Sequence, residues 1–185
     1  TGTTGGELAE GDSVSFTVNG TDYSATVAAD GSWSADVAGS DLAADTAFTV
    51  TATGTDDAGN PISVTADSTH SVDTTGTGTV TVDSITADDV INASEAGGTV
   101  AVTGTTGGEL TEGDSVSFTV NGTDYSATVA ADGSWSADVA GSDLAADTAF
   151  TVTATGTDDA SNPISATADS THSVDTTGTG TVTVD

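Results

Sequence analysis

The sequence contains no Lys, Arg, Cys or Met in 185 residues, while Asp and Glu together number 29, so the formal net charge is −29. Without Lys or Arg, no carboxylate can form an ion pair with such a side chain. Each carboxylate must therefore be hydrated, hydrogen-bonded or neutralised from outside, because an isolated charge is costly to desolvate. We expect a cation from solution to supply this neutralisation.

The missing basic residues also bear on the partners of the chain. Phosphate binding depends on Lys and Arg that release counterions, and anionic membranes attract polybasic segments, so neither nucleic acid nor a membrane surface is an expected partner. No signal-peptide pattern and no apolar run of about 18 residues occur, so we expect no membrane insertion. The lack of Cys is compatible with an extracellular protein. We expect an internal part of a longer secreted protein.

A long internal repeat dominates the sequence. Residues 1–83 return as residues 103–185, and only three pairs differ: Ala9 and Thr111, Gly59 and Ser161, and Val64 and Ala166. A period near 100 residues corresponds to an independent domain rather than to a short solenoid repeat. Residues 84–102 occur once, so we predict an incomplete first module, residues 1–77, without its two opening strands, and a complete module, residues 78–185.

Alternation of apolar with Ser and Thr residues indicates strands throughout the complete module. The predicted strands are 79–85, 98–103, 115–121, 125–130, 134–139, 149–156 and 164–174. About seven short antiparallel strands predict an all-β, Ig-like sandwich, repeated in tandem. The predicted core residues are Val116, Phe118, Val120, Tyr125, Ala127, Val129, Trp135, Ala137, Val139, Phe150, Val152 and Ala154. Asn121-Gly122 and Asp132-Gly133 predict tight turns.

The acidic residues are concentrated in the predicted loops. Ig strand order would bring loops 108–114, 131–133 and 157–162 to one pole, and loops 88–95, 123–124, 143–147 and 175–177 to the other. Calcium takes six to eight oxygen ligands, which flexible acidic loops can supply, whereas the strict octahedron of magnesium suits them less. Turn chemistry alone also explains an Asp or Asn in any single loop. The candidate calcium ligands in these loops are Asp56, Asp57, Asn60, Asp88, Asp89, Asn92, Glu95, Asp114, Asp132, Asp158, Asp159 and Asn162.

Several motifs resemble those of a known family. These are Asn121-Gly-Thr-Asp-Tyr, Ala131-Asp-Gly-Ser-Trp, Asp159-Ala-Ser-Asn, Val174-Asp-Thr-Thr and Asn92-Ala-Ser-Glu-Ala. Over its whole length the chain resembles the bacterial Ig-like tandem repeats of giant RTX-type adhesins, in particular the calcium-dependent extender repeats of a marine bacterial ice-binding adhesin and its biofilm-adhesin relatives. The resemblance implies a calcium-rigidified stalk on the bacterial cell surface that holds terminal ligand-binding domains away from the cell.

The resemblance also implies a role for the segment between modules. Asp73, in Val72-Asp-Thr-Thr, would share a junction calcium ion with Asp158, Asp159 or Asn162, and Asp175 would repeat that role toward a further module. Ser161 stands where the first copy has Gly59, at a position where the loop could require an unusual backbone angle.

Three other interpretations compete with the spacer. Enzymatic catalysis is disfavoured, because His70 and His172 are one repeated position without a catalytic neighbourhood. A module that itself binds a surface ligand, such as ice or carbohydrate, could use the threonines of residues 75–81, although Thr is also simply common in strands. A salt-adapted protein without metal sites would explain the acidity but not its concentration in loops.

Overall fold

The computed structural model describes residues 1–184 and divides into two compact units. Unit 1 is Thr1–Val72, and unit 2 runs from Asp73 to the C-terminal end. The module boundary predicted from the repeat lies after residue 77, a few residues beyond this division. None of the helices within residues 1–184 is long and apolar enough to cross a membrane.

Unit 1 contains one four-stranded antiparallel sheet, of order β3-β2-β5-β6, and a short pair, β1-β4. Its elements are β1 (Gly2–Thr3), β2 (Ser13–Val18), β3 (Thr21–Thr26), β4 (Ser32–Trp33), α1 (Gly39–Ala44), β5 (Ala47–Thr55) and β6 (Pro61–Thr69). Only five hydrophobic residues form its buried core cluster, because β1 and β4 cover little of the apolar face of the larger sheet.

Unit 2 repeats the four-stranded sheet and sets a fuller sheet against it. Its elements are β7 (Gly78–Val80), β8 (Val90–Asn92), α2 (Ala93–Ala96), β9 (Thr99–Gly108), β10 (Ser115–Val120), β11 (Thr123–Thr128), β12 (Ser134–Ala140), α3 (Gly141–Ala146), β13 (Ala149–Thr157), β14 (Pro163–Thr171) and β15 (Ser173–Asp175). The sheets have the orders β11-β10-β13-β14 and β12-β9-β7, and β15 pairs with β8 in parallel. The predicted all-β, Ig-like sandwich is confirmed.

The alternating pattern places the predicted residues in the core of unit 2. Along β10, Val116, Phe118 and Val120 are buried while the Ser and Thr residues between them are exposed. The ring of Phe118 lies 5.3 Å from Phe150 and 6.0 Å from Trp135, between centroids. All of the predicted core residues are buried except Tyr125 and Ala127, which are partly buried and pack against the cluster.

The predicted hairpin turn is also present. Asn121 and Gly122 have φ angles of 49° and 76°, and Val120 pairs with Thr123 across the turn. Two consecutive residues in the left-handed region are typical of a type I′ turn, which matches the twist of the flanking strands.

The structure differs from the sequence-based strands in detail. The predicted strand 164–174 is divided into β14 and β15, and of the predicted strand 79–85 only Thr79 and Val80 lie in a regular strand, β7. Strand β9 extends to Gly108, beyond the predicted end at 103. The helices α2 and α3 were not predicted, since six residues or fewer carry too little helical periodicity to be recognised.

Candidate metal centre

The loop after β13 is closed by hydrogen bonds between Asp158 and Asn162. The backbone N–H of Asn162 donates to Asp158 Oδ1 at 2.7 Å, and its side-chain Nδ2 donates to Asp158 Oδ2 at 2.8 Å. Ser161 N donates to the Asp158 carbonyl at 3.0 Å. The loop therefore fixes the Asp158 carboxylate, which is buried.

Two further carboxylates reach this loop from other parts of unit 2. Asn162 Nδ2 lies 3.2 Å from the carbonyl oxygen of Asp73 and 3.4 Å from its Oδ1. Glu109 follows the last residue of β9, and its Oε2 accepts hydrogen bonds from Thr77 N at 2.7 Å and Thr77 Oγ1 at 2.9 Å. The segment that begins at Asp73 is thus held against the ends of β9 and β13.

Asp73, Glu109 and Asp158 form a carboxylate trio. One oxygen from each lies within 4.8 Å of the other two. Calcium binds oxygen at about 2.3 to 2.6 Å, so two ligands of one ion are separated by at most about 5 Å. The spacing and the all-oxygen donor set therefore fit calcium. No other group of three acidic, His or Cys side chains comes this close within residues 1–184.

The loop geometry also favours the charged form of Asp158. The hydrogen bond from the Asn162 side chain is the main cause that lowers the pKa of Asp158 below its ordinary value of 3.8, and backbone N–H groups of the loop add to it. Asp158 is therefore ionised at neutral pH, which is the form that binds a metal ion. Since the chain has no Lys or Arg, no such side chain offsets the repulsion within the carboxylate trio.

Unit 1 contains the same loop without the third carboxylate. Asp56 accepts from Asn60 N and Asn60 Nδ2, both at 2.7 Å, and these bonds lower the pKa of Asp56 as they do for Asp158. Asp73 has no repeat equivalent among residues 1–72. Asp57 is exposed, and the predicted ligand roles of Asp56, Asp57 and Asn60 stay predictions.

Four predicted ligands around β8 bond within turns and a helix cap. Asp89, at φ 59°, accepts from Ile85 N at 3.0 Å, and Asp88 accepts from Thr86 Oγ1 at 3.0 Å. Asn92 and Glu95 form a capping box at α2: Asn92 Oδ1 accepts from Glu95 N, and Glu95 Oε2 accepts from Asn92 N at 2.9 Å. These oxygens accept hydrogen bonds that stabilise local structure, and their predicted ligand roles stay predictions.

The remaining predicted ligands lie outside the carboxylate trio. Asp114 accepts from Thr111 N at 2.8 Å, Asp132 from Ser134 N and Oγ, and Asp175 from Thr177 N at 3.1 Å. Asp159 is exposed. Asn162 directs its amide nitrogen toward Asp73 and Asp158, so in this arrangement it supports their carboxylates as a donor.

Glu109 is the member of the carboxylate trio that was not among the predicted ligands. It lies in the loop 108–114, which was assigned to the acidic pole, but its position depends on β9 continuing to Gly108 and pairing there with β7. The low alternation in Gly104–Gly108 hides this extension. The sequence signal that could have identified this ligand is Glu109 itself, an acidic residue directly after Gly107 and Gly108.

Known protein structures resemble the chain over most of its length. One, described as a Ca2+-stabilised adhesin with which an Antarctic bacterium reaches out and binds ice, is 59% identical with a TM-score of 0.77, over 95% of this chain and 43% of that one. A second, from a 1.5-MDa bacterial ice-binding adhesin studied for host cell surface retention, is 53% identical with a TM-score of 0.80, over 94% and 56%. No family model and no curated protein matches the sequence.

A third structure identifies the repeating domain. It is a bacterial immunoglobulin-like domain from the M. primoryensis ice-binding adhesin, 59% identical with a TM-score of 0.51. The match covers all of that domain and 56% of this chain. The fold and the carboxylate trio thus define a bacterial Ig-like domain with a candidate acidic metal site. The chain belongs to the immunoglobulin-like domains of large bacterial ice-binding adhesins. It spans about half the length of the first two structures it matches.

Proposed function

We propose that this chain is a pair of calcium-stabilised spacer modules in the extracellular part of a bacterial adhesin. The carboxylate trio of Asp73, Glu109 and Asp158 carries the proposal, because it gathers three oxygens within 4.8 Å of one another in a chain with no Lys or Arg. The similarity to a Ca2+-stabilised adhesin supports calcium as the ion and the bacterial surface as the location.

The position of Asp73 suggests what the ion does for a spacer. Asp73 directly follows Val72, the last residue of unit 1, and the next residues include Gly76 and Gly78. Glycine-containing linkers are flexible unless they are held. A calcium ion bound by the carboxylate trio would fasten the first residue of unit 2 to the ends of β9 and β13, and so would stiffen the connection.

The near-identical repeat also supports a spacer. Repetition of a module adds length while leaving a terminal binding site elsewhere unchanged. The threonines proposed for direct ligand binding are engaged within unit 2: Thr77 donates to Glu109, and Thr81 Oγ1 lies 2.8 Å from Thr105 Oγ1. These contacts favour the spacer over a module that binds ice or carbohydrate itself.

We also propose that the chain has no catalytic role and no nucleic-acid partner. His172 Nε2 lies 2.8 Å from the carbonyl oxygen of Leu144, so it donates there, and its Nδ1 is buried without a hydrogen-bond partner. A catalytic histidine needs a group that orients its second nitrogen. We expect the chain to pass through a DNA column at moderate salt without retention. Retention would contradict the proposal that it has no nucleic-acid partner.

Isothermal titration calorimetry of the metal-free chain with calcium tests the proposed function. Glu109→Gln is expected to remove one binding event, whereas Glu112→Gln, the same change on an exposed residue of the same loop, is expected to leave the titration unchanged. Calcium at about 100 times its dissociation constant should add about 2.7 kcal/mol per site to the free energy of unfolding. Identical melting curves with calcium and with chelator would contradict the proposal.

A further inference from the structure

Two asparagines of the chain precede glycine, and both lie in hairpin turns. Asn121-Gly122 joins β10 to β11, and Asn19-Gly20 joins β2 to β3 at the equivalent position of the repeat. All four residues are exposed and have positive φ angles. Because the turn occurs in both units, it is a feature of the repeating module itself.

An asparagine that precedes glycine can lose its side-chain amide without an enzyme. The backbone nitrogen of the glycine gives up its proton, bonds to Cγ of the asparagine and expels the side-chain nitrogen as ammonia. Water then opens the resulting cyclic imide at either carbonyl group, which leaves aspartate or isoaspartate. Glycine offers the least steric resistance to this attack, because it has no Cβ atom and few backbone restrictions. Since the attacking nitrogen must lose its proton, the rate rises with pH.

The turn at Asn121 leaves the attacking nitrogen accessible. Val120 and Thr123 pair across the turn, and within residues 1–184 the Gly122 N–H donates no backbone hydrogen bond. Gly122 is also exposed, so water can reach the imide once it has formed. Both the nucleophile and the hydrolysing water are thus available at this turn.

The other three asparagines of the chain have different neighbours. Asn60 and Asn162 precede proline, whose nitrogen carries no proton and cannot make this attack. Asn92 precedes alanine, and its side chain is held by the hydrogen bonds of the helix cap. The chemistry therefore favours the two Asn-Gly turns, and the remaining asparagines serve as internal controls.

Two aspartates restrain Asn121 in the folded chain. Asn121 Nδ2, the group that must leave, donates to Asp143 Oδ1 at 3.1 Å, and the backbone N of Asn121 donates to Asp147 Oδ2 at 3.0 Å. Asp143 is itself held by a hydrogen bond from Tyr125 Oη at 2.6 Å. Asn121 must rotate its side chain to bring Cγ to the Gly122 nitrogen, and that rotation breaks the bond to Asp143.

We propose that Asn121 and Asn19 are sites of spontaneous deamidation, and that Asp143 and Asp41 slow the reaction by holding the side-chain amides. In unit 1, Asn19 Nδ2 donates to Asp41 Oδ1 at 3.2 Å, and Asn19 N donates to Asp45 Oδ2 at 3.0 Å. The two turns thus have the same partners, and the same restraint acts in both units.

The reaction changes the turn, because it replaces a hydrogen-bond donor with a carboxylate. The aspartate formed from Asn121 would face Asp143 and Asp147, and the chain has no Lys or Arg to offset their repulsion. Asn121→Asp, which reproduces one product, should therefore lower the melting temperature of unit 2. The loss should be larger at low salt than at high salt, since salt screens the repulsion. A variant as stable as wild type at low salt would contradict this consequence.

The rate of amide loss at each asparagine tests the assignment. Wild type would be incubated at mildly alkaline pH, native and in urea, and followed by mass spectrometry of peptic peptides, since trypsin has no site in a chain without Lys or Arg. In urea, Asn19 and Asn121 should lose their amides at the same rate and ahead of Asn92, while Asn60 and Asn162 stay intact. In the native chain, loss at Asn19 and Asn121 should be slower. Equal loss at Asn92 in urea, or equal rates in the native and the unfolded chain, would overturn the proposal.

Asp143→Ala tests the restraint with an internal standard. Loss at Asn121 in the native variant should be roughly two- to tenfold faster, because opening the turn no longer breaks that hydrogen bond, while loss at Asn19 in the same molecules should match wild type. Asp124→Ala is the matched control and should change neither rate: it removes the same charge from an exposed residue of the hairpin that bonds to Thr119. An unchanged rate at Asn121 in Asp143→Ala, or equal acceleration in both variants, would overturn the role of Asp143. The comparison of native with unfolded wild type does not depend on the folding of either variant.

Discussion

At the scale of single residues, Tyr125 and Asp143 form a hydrogen-bonded pair at the edge of the core. Tyr125 Oη donates to Asp143 Oδ2 at 2.6 Å, and Asn121 Nδ2 donates to Asp143 Oδ1 at 3.1 Å. The bond from Tyr125 is the main cause that lowers the pKa of Asp143 below 3.8, and the bond to Asp143 is the main cause that raises the pKa of Tyr125 above 10.0. Helix α3 is thereby tied to β11 and to the turn at Asn121.

The pair should stabilise unit 2 only while Asp143 is ionised and Tyr125 is neutral. Its contribution is fully present above the unfolded pKa of Asp143 and is lost as pH falls through the lower folded value. It is fully present below the unfolded pKa of Tyr125 and is lost as pH rises through the higher folded value. Tyr125→Phe should therefore be less stable than wild type between about pH 5 and pH 9, with the difference shrinking at both extremes. Urea unfolding across pH measures this.

Thr119→Val is the control for that measurement. Thr119 Oγ1 donates to Asp124 at 2.7 Å on the same pair of strands, but no phenol is involved. Its stability difference from wild type should persist at high pH. A Tyr125→Phe difference that is unchanged above the pKa of tyrosine would contradict the assignment.

Leu144 and Leu42 occupy the same repeat position in different surroundings. Leu144 is 0% exposed, whereas Leu42 is partly buried. Removal of a fully buried leucine costs about 2 to 5 kcal/mol, because transfer and cavity terms add. Leu144→Ala should lower the stability of unit 2 by that amount, and Leu42→Ala should cost unit 1 clearly less. Equal losses in thermal unfolding would contradict the difference in packing.

At the scale of loops and short elements, one position in the equivalent loops 158–162 and 56–60 has a left-handed backbone conformation. Ser161 has φ 70° where unit 1 has Gly59 with φ 84°, which confirms that this position needs an unusual angle. A residue with a Cβ atom in the left-handed region costs about 1 to 2 kcal/mol relative to glycine.

Exchange of the two residues gives opposite expected results. Ser161→Gly should stabilise unit 2 and Gly59→Ser should destabilise unit 1, each by about 1 kcal/mol. Chemical denaturation of both variants measures the effect. A loss of stability in Ser161→Gly would show that the Ser161 side chain makes a compensating contact.

The strands were predictable from the sequence, but the way their ends meet was not. The alternation in β10 and the Asn121-Gly122 turn define a hairpin from local residues alone. The capping box of Asn92 and Glu95 is also a local motif, and the predicted ligand roles of these two residues stay predictions. Glu109 meets Asp158 only through the long-range pairing of β7 with β9, which no local pattern encodes.

At the scale of the whole molecule, nearly identical sequences acquire different burial. Val50 is partly buried and Val152 is 0% exposed, because only unit 2 has β7, β8 and the full β9. Apolar periodicity therefore predicts which face of a strand is hydrophobic. Whether that face is buried depends on the strands that cover it. The repeat makes each unit an internal control for the other.

The central claim is that calcium at the carboxylate trio holds in place the first residues of unit 2, which directly follow Val72, and small-angle X-ray scattering tests it most directly. Scattering extrapolated to zero protein concentration would be compared for wild type in calcium, wild type in chelator and Asp73→Ala in calcium. Chelated wild type and Asp73→Ala should both show a broader, more flexible distance distribution than wild type in calcium, while each sandwich stays folded by circular dichroism. Identical distance distributions in all three samples would contradict the account.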